Sequence, residues 1–179
     1  MQQRHRLPDI WLVTDARNDA QLDQAMRRLP RGSGVIFRHY HLDPDARRKC
    51  FEALTRMARA RGHVVILAGS VREARQWGAS GTYCPPWTER SGHLQGHILR
   101  LVTAHSLKEI GQANRANADA ILLSPVFPTR SHPGAPALGP VHFRLLARYA
   151  RMPVIALGGM NRHRARSLRW KKWAAIDGI

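Results

Sequence analysis

Residues 122–140 read LLSPVFPTRSHPGAPALGP, and this stretch places an apolar run directly before a long, stiff loop. The apolar run ends at Ser124, and the loop is then broken by prolines at positions 125, 128, 133, 136 and 140. Proline restricts the backbone, which lowers the entropic cost of holding a loop in one shape. A helical pattern follows at 140–150, so the stretch is typical of a buried strand, a rigid loop and a covering helix.

Similar units recur along the whole chain. Short apolar or β-branched runs predict strands, and amphipathic segments between them predict helices. The strands are predicted at 10–14, 34–38, 63–67, 81–84, 98–102, 120–124, 154–157 and 173–176. The helices are predicted at 19–29, 43–61, 70–77, 106–117, 140–150 and 161–170. Asp43, Ser106 (with Glu109 three residues on) and Asn161 have the residue types of helix N-caps.

The alternation predicts an α/β fold with a parallel sheet. Eight strands favour a closed (β/α)8 TIM barrel, a small one that lacks the last helix because the sequence stops after the eighth strand. A doubly wound open sheet is the alternative. That fold expects a Gly-x-Gly-x-x-Gly turn after the first strand, whereas residues 14–17 read TDAR, without glycine.

Composition fits one domain over residues 1–179, with 44% hydrophobic residues. The formal net charge is +17, which attracts anions such as phosphorylated metabolites, nucleic acid or acidic membranes. The basic residues are nearly all arginine and form no dense block, which disfavours nucleic-acid binding as the main function. Nucleic-acid association through an arginine-rich surface is kept as an alternative function.

Several other classes are disfavoured. No apolar run is long enough to cross a membrane, and no secretory leader follows the basic N-terminus, so a cytoplasmic protein without a membrane partner is expected. Cys50 and Cys84 match no metal-binding spacing and are expected to be reduced.

In a barrel of this type the active site is built from the loops that follow the strands. The loop after the sixth predicted strand carries Thr129, Arg130, Ser131 and His132, whose side chains suit a phosphate or pyrophosphate. Gly158 and Gly159 follow the seventh strand and precede a helix. Paired glycines let the backbone approach an anion, so these two loops together predict a phosphate site.

Four motifs occur in the order and spacing of a known family: IWLVTD, TAHSLKEI, ADAILLSPVFPT and PVIALGGMN. Together they resemble the thiamine phosphate synthase and thiazole tautomerase (TenI-like) family. The resemblance implies a (β/α)8 barrel that takes a phosphorylated thiazole or pyrimidine. It also implies that His105 is the acid–base group, that Thr103 lies beside it, and that Arg38, Thr129, Ser131, His132, Gly158 and Gly159 bind the substrate phosphate.

The sequence departs from the synthase pattern at several positions. After the second strand only Arg38 remains of a Gln-x-Arg-x-Lys pattern. Ala68 and Gly69 stand where the family has Asn-Asp, and residues 84–88, CPPWT, contain no carboxylate. Asp177 stands for a phosphate-binding serine. Because the metal-binding carboxylates are replaced, no metal and no cofactor are predicted, and Mg²⁺ is expected only if synthase activity is retained.

Three functions therefore remain. The first is a thiazole phosphate-binding enzyme, either tautomerase-like or a divergent synthase. The second is a catalytically inactive barrel used for binding or regulation, and the third is nucleic-acid association. Arg38 is expected to be an unpaired cation that contacts an anion in the barrel mouth, with a salt bridge to a neighbouring carboxylate as the alternative. His39, His41 and His132 are weaker acid–base candidates. A homodimer, or a rearranged N-terminus, is expected to cover the apolar wall that the missing last helix would leave exposed.

Overall fold

The structure is a computed structural model that describes residues 7–88, 98–130, 134, 136–177 and 179. Eight parallel strands form a closed barrel in sequence order. They are β1 (Ile10–Val13), β2 (Gly34–Phe37), β3 (Val64–Ala68), β4 (Gly81–Cys84), β5 (Leu99–Ala104), β6 (Ala120–Leu123), β7 (Val154–Ala156) and β8 (Trp173–Ala175). Ile10 of β1 pairs with Trp173 of β8, which closes the barrel. The prediction of a (β/α)8 barrel is confirmed, and the open sheet is wrong.

The helices lie between the strands as predicted, with bounds that shift by a few residues. A short 3₁₀ helix, Ala16–Gln21, precedes α1 (Leu22–Arg28). The others are α2 (Pro44–Ala60), α3 (Val71–Gln76), α4 (Leu107–Arg115), α5 (Gly139–Ala147) and α6 (Arg162–Leu168). In the described residues β8 is followed by no helix, as expected for a barrel that lacks the last one.

The predicted helix caps are confirmed. Asp43 accepts hydrogen bonds from the backbone N–H groups of Asp45 and Ala46, and Asn161 accepts from Arg164 N at 2.8 Å. Ser106 Oγ accepts from Glu109 N at 3.3 Å. The Glu109 carboxylate accepts from the backbone N–H of His105, one residue before the cap. This second contact fixes the backbone at the end of β5.

The barrel interior is filled by apolar side chains that alternate with outward-facing ones along the strands. Trp11 is fully buried there, and its indole N–H donates to the Pro8 carbonyl at 2.9 Å. A Cβ atom at Gly34 would lie 2.0 Å from the Trp11 ring, so the large indole requires a glycine on the neighbouring strand. Two further apolar clusters fill the space between the barrel and its helices.

The apolar wall beside β8 is not exposed, and that expectation is wrong. Trp173 and Ala175 are 5% and 3% exposed, and Ile179 packs against both outer clusters. The preceding residues also hold this wall, since the Trp170 indole donates to the Val154 carbonyl at 3.0 Å and Lys172 Nζ lies 2.6 Å from Asp9 Oδ1. A second copy is not needed to cover the wall, so the homodimer stays a prediction.

Within the described ranges, none of the helices combines the length and the apolar character needed to cross a bilayer.

Candidate active site

A cavity of about 720 Å³ opens at the carboxyl ends of the strands. The structure brings together six of the eight residues that the sequence assigned to the site. These are Arg38, Thr103, His105, Thr129, Gly158 and Gly159. The other two, Ser131 and His132, lie outside the described residues. Arg17, Arg130 and Arg164 also line the cavity, so its rim is rich in guanidinium groups.

His105 is held at the end of β5 by the end of β6. Its Nδ1 lies 2.9 Å from the backbone carbonyl of Ser124 and 3.2 Å from the Ser124 hydroxyl. A carbonyl oxygen only accepts hydrogen bonds, so Nδ1 must carry a proton and donate it. In the neutral ring Nε2 is then the basic nitrogen. The fold therefore fixes the tautomer in which Nε2 carries the lone pair.

Thr103 and Tyr83 extend this arrangement. Nε2 of His105 lies 3.3 Å from Thr103 Oγ1, and Tyr83 on the neighbouring strand β4 also lines the cavity. Burial raises the pKa of the Tyr83 phenol, which stays protonated. Because Nδ1 carries the ring proton, the Thr103 hydroxyl donates to Nε2 in the neutral imidazole. Sequence reasoning missed Tyr83, because a tyrosine in a strand usually indicates packing.

The glycine pair after β7 lies against the proline-rich loop after β6. Gly158 has φ +92° and Gly159 φ +60°, conformations that side chains other than glycine rarely adopt. A Cβ at Gly158 would lie 2.6 Å from Pro125 Cα. Phe127 N donates to the Gly158 carbonyl at 3.0 Å, and Leu138 N donates to the Pro125 carbonyl at 2.9 Å. The stiff loop is thus joined by hydrogen bonds to the glycine turn and to its own far end.

Arg164, in the first turn of α6, is a cavity residue that the sequence did not single out. Its guanidinium donates to the Gly159 carbonyl and lies 5.0 Å from the Phe127 ring centroid. One charged group therefore contacts both loops of the predicted phosphate site. Its signal in the sequence was weak, because α6 reads RHRARSL and contains three arginines.

Arg38 is paired, which corrects the expectation of an unpaired cation. Its guanidinium lies 3.3 Å from Asp15 Oδ2, and Arg17 lies 3.0 Å from the other oxygen of the same carboxylate. Burial alone would raise the pKa of Asp15, but the hydrogen bonds from Arg17 and the charges of both arginines outweigh it and lower the pKa. Asp177, which stands for the family's phosphate-binding serine, lies 3.9 Å from Arg17. The guanidiniums of Arg38 and Arg17 therefore face two carboxylates at this part of the cavity rim.

His39 and His41 serve structure and do not line the cavity. His39 is 2% exposed; its Nδ1 lies 2.7 Å from Thr14 Oγ1 and its Nε2 lies 2.7 Å from Asp19. His41 contacts the same aspartate at 2.8 Å. The Thr14 hydroxyl oxygen accepts the backbone N–H of Arg38 at 3.0 Å. This network fixes the backbone that carries Arg38 into the cavity.

Arg47, near the start of α2, braces the ends of β2 and β3. Its guanidinium donates to the Arg38 carbonyl at 3.0 Å, to the Ala68 carbonyl at 2.6 Å and to the Glu73 carboxylate at 3.1 Å. The side chain is 12% exposed and lies over the rings of Phe37, Tyr40 and Trp77. No sequence pattern distinguishes Arg47 from the many other arginines of the chain.

The family comparison agrees with this geometry. The thiamine monophosphate synthase family model matches residues 10–179. The chain belongs to the thiamine monophosphate synthase family. The family resemblance noted in the sequence is thereby confirmed, and so is membership of a thiamine-biosynthesis enzyme family. Tautomerase chemistry and catalytic activity in this member are separate questions.

Individual members of the family are distant from this chain. A thiamine-phosphate synthase of Chloroflexus aurantiacus is 36% identical over 87 residues, which cover 48% of this chain and 39% of that protein. A putative thiamine-phosphate synthase of Aquifex aeolicus is 41% identical over 58 residues, or 32% of this chain and 31% of that protein. The chain therefore matches less than half the length of these two relatives. A thiamine-phosphate synthase of Pyrococcus furiosus is 24% identical over 95% of this chain and 83% of its own.

A solved structure shares the fold. Thiamine phosphate pyrophosphorylase from Pyrococcus furiosus has a TM-score of 0.77 at 20% identity, covering 93% of this chain and 84% of that one. The citrate synthase SbnG has a TM-score of 0.60 at 10% identity, over 93% of this chain and 84% of that one. At these identities the likeness establishes the barrel alone, since one fold hosts many chemistries.

Among the described residues, the donors present do not fit the Mg²⁺ that synthase chemistry implies. At Gly69, where the family has an aspartate, a Cβ would meet the Glu73 carboxylate, and that carboxylate is paired with Arg47. Asp15 is occupied by Arg17 and Arg38. In the described part of the chain, no group of three or more His, Cys, Asp or Glu side chains could hold a metal ion. The Arg47 guanidinium and the Glu73 carboxylate thus lie at the end of β3, where the family has its metal-binding aspartate.

Proposed function

We propose that this barrel binds a small thiazole phosphate and transfers a proton on the heterocycle, as a tautomerase-like member of its family. One observation carries the proposal: Ser124 holds Nδ1 of His105, which makes Nε2 the basic nitrogen beside a cavity rimmed by arginines. A proton transfer of this kind needs one acid–base group and no metal, which are the requirements that these residues can meet.

The phosphate would lie between the loops after β6 and β7. Gly158 and Gly159 leave room for an anion to approach the backbone, while Arg164 and Arg130 supply charge at the same side of the cavity. Thr129 also lines this side. At residues 125–127 and 138–139 the loop is held by hydrogen bonds before any ligand arrives, so little ordering entropy opposes binding at these positions.

His105 would then act as the proton shuttle. Neutral Nε2 removes a proton from a ring-adjacent carbon of the substrate, and the imidazolium returns that proton to a second carbon of the same molecule. The Ser124 carbonyl stabilises the imidazolium through Nδ1–H.

The direct test follows proton transfer on a thiazole carboxylate phosphate by NMR, for the wild type and for His105→Gln. We expect the variant to lose at least about 100-fold in kcat, because a positioned acid–base group contributes that much or more. Binding of thiazole phosphate, measured by thermal shift and calorimetry, should be retained by the variant. EDTA should change neither result.

The other outcomes decide between the remaining functions. Turnover that requires Mg²⁺ and both thiamine precursors would establish a divergent synthase instead. Binding of thiazole phosphate without proton transfer would indicate an inactive barrel. If neither thiazole phosphate nor inorganic phosphate shifts the melting temperature, the phosphate site itself is wrong.

A further inference from the structure

Helix α5 has apolar side chains on two faces. Its inner face is buried against the barrel through Phe143, Leu146 and Ala147. Val141 and Leu145 lie on the outer face, one helical turn apart, with Tyr149 in the turn that closes the helix. These three side chains are 73%, 51% and 60% exposed. We call Val141, Leu145 and Tyr149 the α5 stripe; packing in the barrel does not account for it.

Basic residues accompany the stripe. Arg144, Arg148 and Arg151 are exposed on the same helix or just after it. Among the described residues none of these three arginines takes part in an ion pair. The whole segment 120–176 contains no aspartate and no glutamate. The Arg144 guanidinium donates to the Leu168 carbonyl. The uncompensated charge beside the stripe is therefore that of Arg148 and Arg151, and a partner with carboxylates beside its apolar face complements it.

We propose that the α5 stripe is a docking surface for an acidic amphipathic helix of another protein. Such a helix places apolar residues at i, i+4 and i+7 on one face and can carry Asp or Glu beside them. Its apolar face covers Val141, Leu145 and Tyr149, and its carboxylates face Arg148 and Arg151. This surface lies on the outside of the barrel, so the proposal is independent of the chemistry in the cavity.

Charge decides against two other occupants. A second copy docked on the same face brings two sets of unpaired arginines together, and each copy carries a net charge of +17. A high net charge of one sign keeps proteins monomeric. A nucleic acid satisfies the arginines but leaves Val141 and Leu145 in water, because phosphate contacts do not cover aliphatic side chains.

The test uses the full chain and a fluorescein-labelled helical peptide of about 18 residues, with Leu on one face and Glu beside it, in about 150 mM salt. Two control peptides replace every Leu by Ser or every Glu by Lys. Protein variants are the pair Val141→Ser/Leu145→Ser, Arg148→Glu, and Met57→Ser. Met57 is an exposed apolar residue on α2, a helix that also carries acidic residues, and serves as the matched control.

We expect the Leu/Glu peptide to bind in fluorescence anisotropy and both control peptides to bind at least about tenfold more weakly. The paired serine variant and Arg148→Glu should each weaken binding by about tenfold, and Met57→Ser should not. Melting temperatures verify that every variant is folded.

Four results would overturn the proposal. The first is no binding of the Leu/Glu peptide. The second is equal binding of the Ser peptide, which would mean attraction by charge alone. The third is a wild-type dimer in sedimentation that the serine pair converts to monomer, which would assign the stripe to a second copy. The fourth is displacement of the peptide by a short RNA more effectively than by unlabelled peptide, which would assign it to nucleic acid.

Discussion

The two sides of the cavity mouth use arginine in opposite ways. At the ends of β1–β3, Arg38 and Arg47 are held by Asp15, Glu73 and backbone carbonyls. At the ends of β5–β7, His105 and the glycine turn are fixed mainly by backbone hydrogen bonds, and Arg164 holds the Gly159 carbonyl. On the first side Arg47 stabilises the ends of β2 and β3, at the position where the family has a metal-binding carboxylate. On the second side the structure leaves its polar groups directed at the cavity.

The difference shows that a count of arginines does not identify a function. A net charge of +17 suggested an anion partner for the whole surface, yet several arginines serve the interior of their own loops. What separates structural from binding arginines is the number of internal acceptors each one contacts. The predictions below test this separation.

The largest expected effect is on the brace of the first side. Replacing Arg47 by Met leaves the Arg38 and Ala68 carbonyls and the Glu73 carboxylate without their donor. Breaking a buried pair destabilises by about 3–5 kcal/mol, and we expect Arg47→Met to lower the free energy of unfolding by that order. Urea denaturation followed by circular dichroism measures it.

Arg48→Met is the matched control, one residue away on α2. Arg48 pairs with Glu52 at 3.2 Å, but both side chains are about half exposed. A surface pair contributes about 0–1 kcal/mol. Equal losses in the two variants would show that Arg47 is no more than another surface arginine.

The second prediction concerns the glycine turn of the other side. Gly158→Ala forces a side chain into φ +92° and to within 2.6 Å of Pro125. Gly32→Ala meets a similar φ of +75° but has nothing within 4 Å of the new Cβ. We expect about 1–2 kcal/mol of destabilisation from the positive φ in both, and about 1–3 kcal/mol more in Gly158→Ala from the clash.

Calorimetric titration with thiazole phosphate completes this comparison. Because Gly158 holds the loop after β6 in place, Gly158→Ala should also weaken phosphate binding, whereas Gly32→Ala should not. Unchanged affinity in Gly158→Ala would remove the glycine turn from the phosphate site.

The sequence predicted most of the fold, but only some of the residues and contacts that build the site. Strand and helix periodicity is a local signal, so eight strands and the caps at Asp43, Ser106 and Asn161 could be read directly. The family motifs placed His105 and the glycine turn at the cavity. Contacts between residues that are far apart in the sequence could not be predicted from these patterns.

Arg38 illustrates the limit. Its partner Asp15 lies at a different strand end, where it also caps the 3₁₀ helix. The Arg38 backbone is positioned by Thr14, which belongs to the motif IWLVTD, and by Arg47, which belongs to no motif, and neither contact can be predicted from the sequence pattern. Ion pairs of this kind depend on strand register in three dimensions, and the barrel wall beside β8 was misjudged for the same reason: the burial of Trp173 is set by neighbours that are remote in sequence.

The third prediction sharpens the chemistry of the β5 side. Thr103→Val removes the hydroxyl that lies 3.3 Å from Nε2 of His105, and Tyr83→Phe removes a phenol hydroxyl from the same cavity wall. Thr103 Oγ1 accepts Nε2–H once the ring has taken up the substrate proton, and one hydrogen bond contributes about 1 kcal/mol, so we expect Thr103→Val to lower kcat about fivefold in the proton-transfer assay. Tyr83→Phe is the matched control and should change kcat less. Equal losses in the two variants, or a change in KM alone, would contradict the role of Thr103 beside Nε2.

The smallest expected effect is a decrease in the free energy of unfolding at acid pH. Burial lowers the pKa of His39 below its ordinary value of 6.5. The negative charge of Asp19 opposes this shift but does not cancel it. Burial also lowers the pKa of His63. The unfolded chain therefore binds more protons than the native chain as the pH falls below about 6.5, so stability present above that pH is lost progressively below it.

Denaturant unfolding of the wild type should show a lower free energy of unfolding at pH 5.5 than at pH 7.5. His39→Gln and His63→Gln should each remove part of this pH dependence, whatever they do to stability at pH 7.5. If the decrease is the same in His39→Gln as in the wild type, His39 is not held neutral by burial, and the network that fixes the Arg38 backbone is not built on a neutral imidazole.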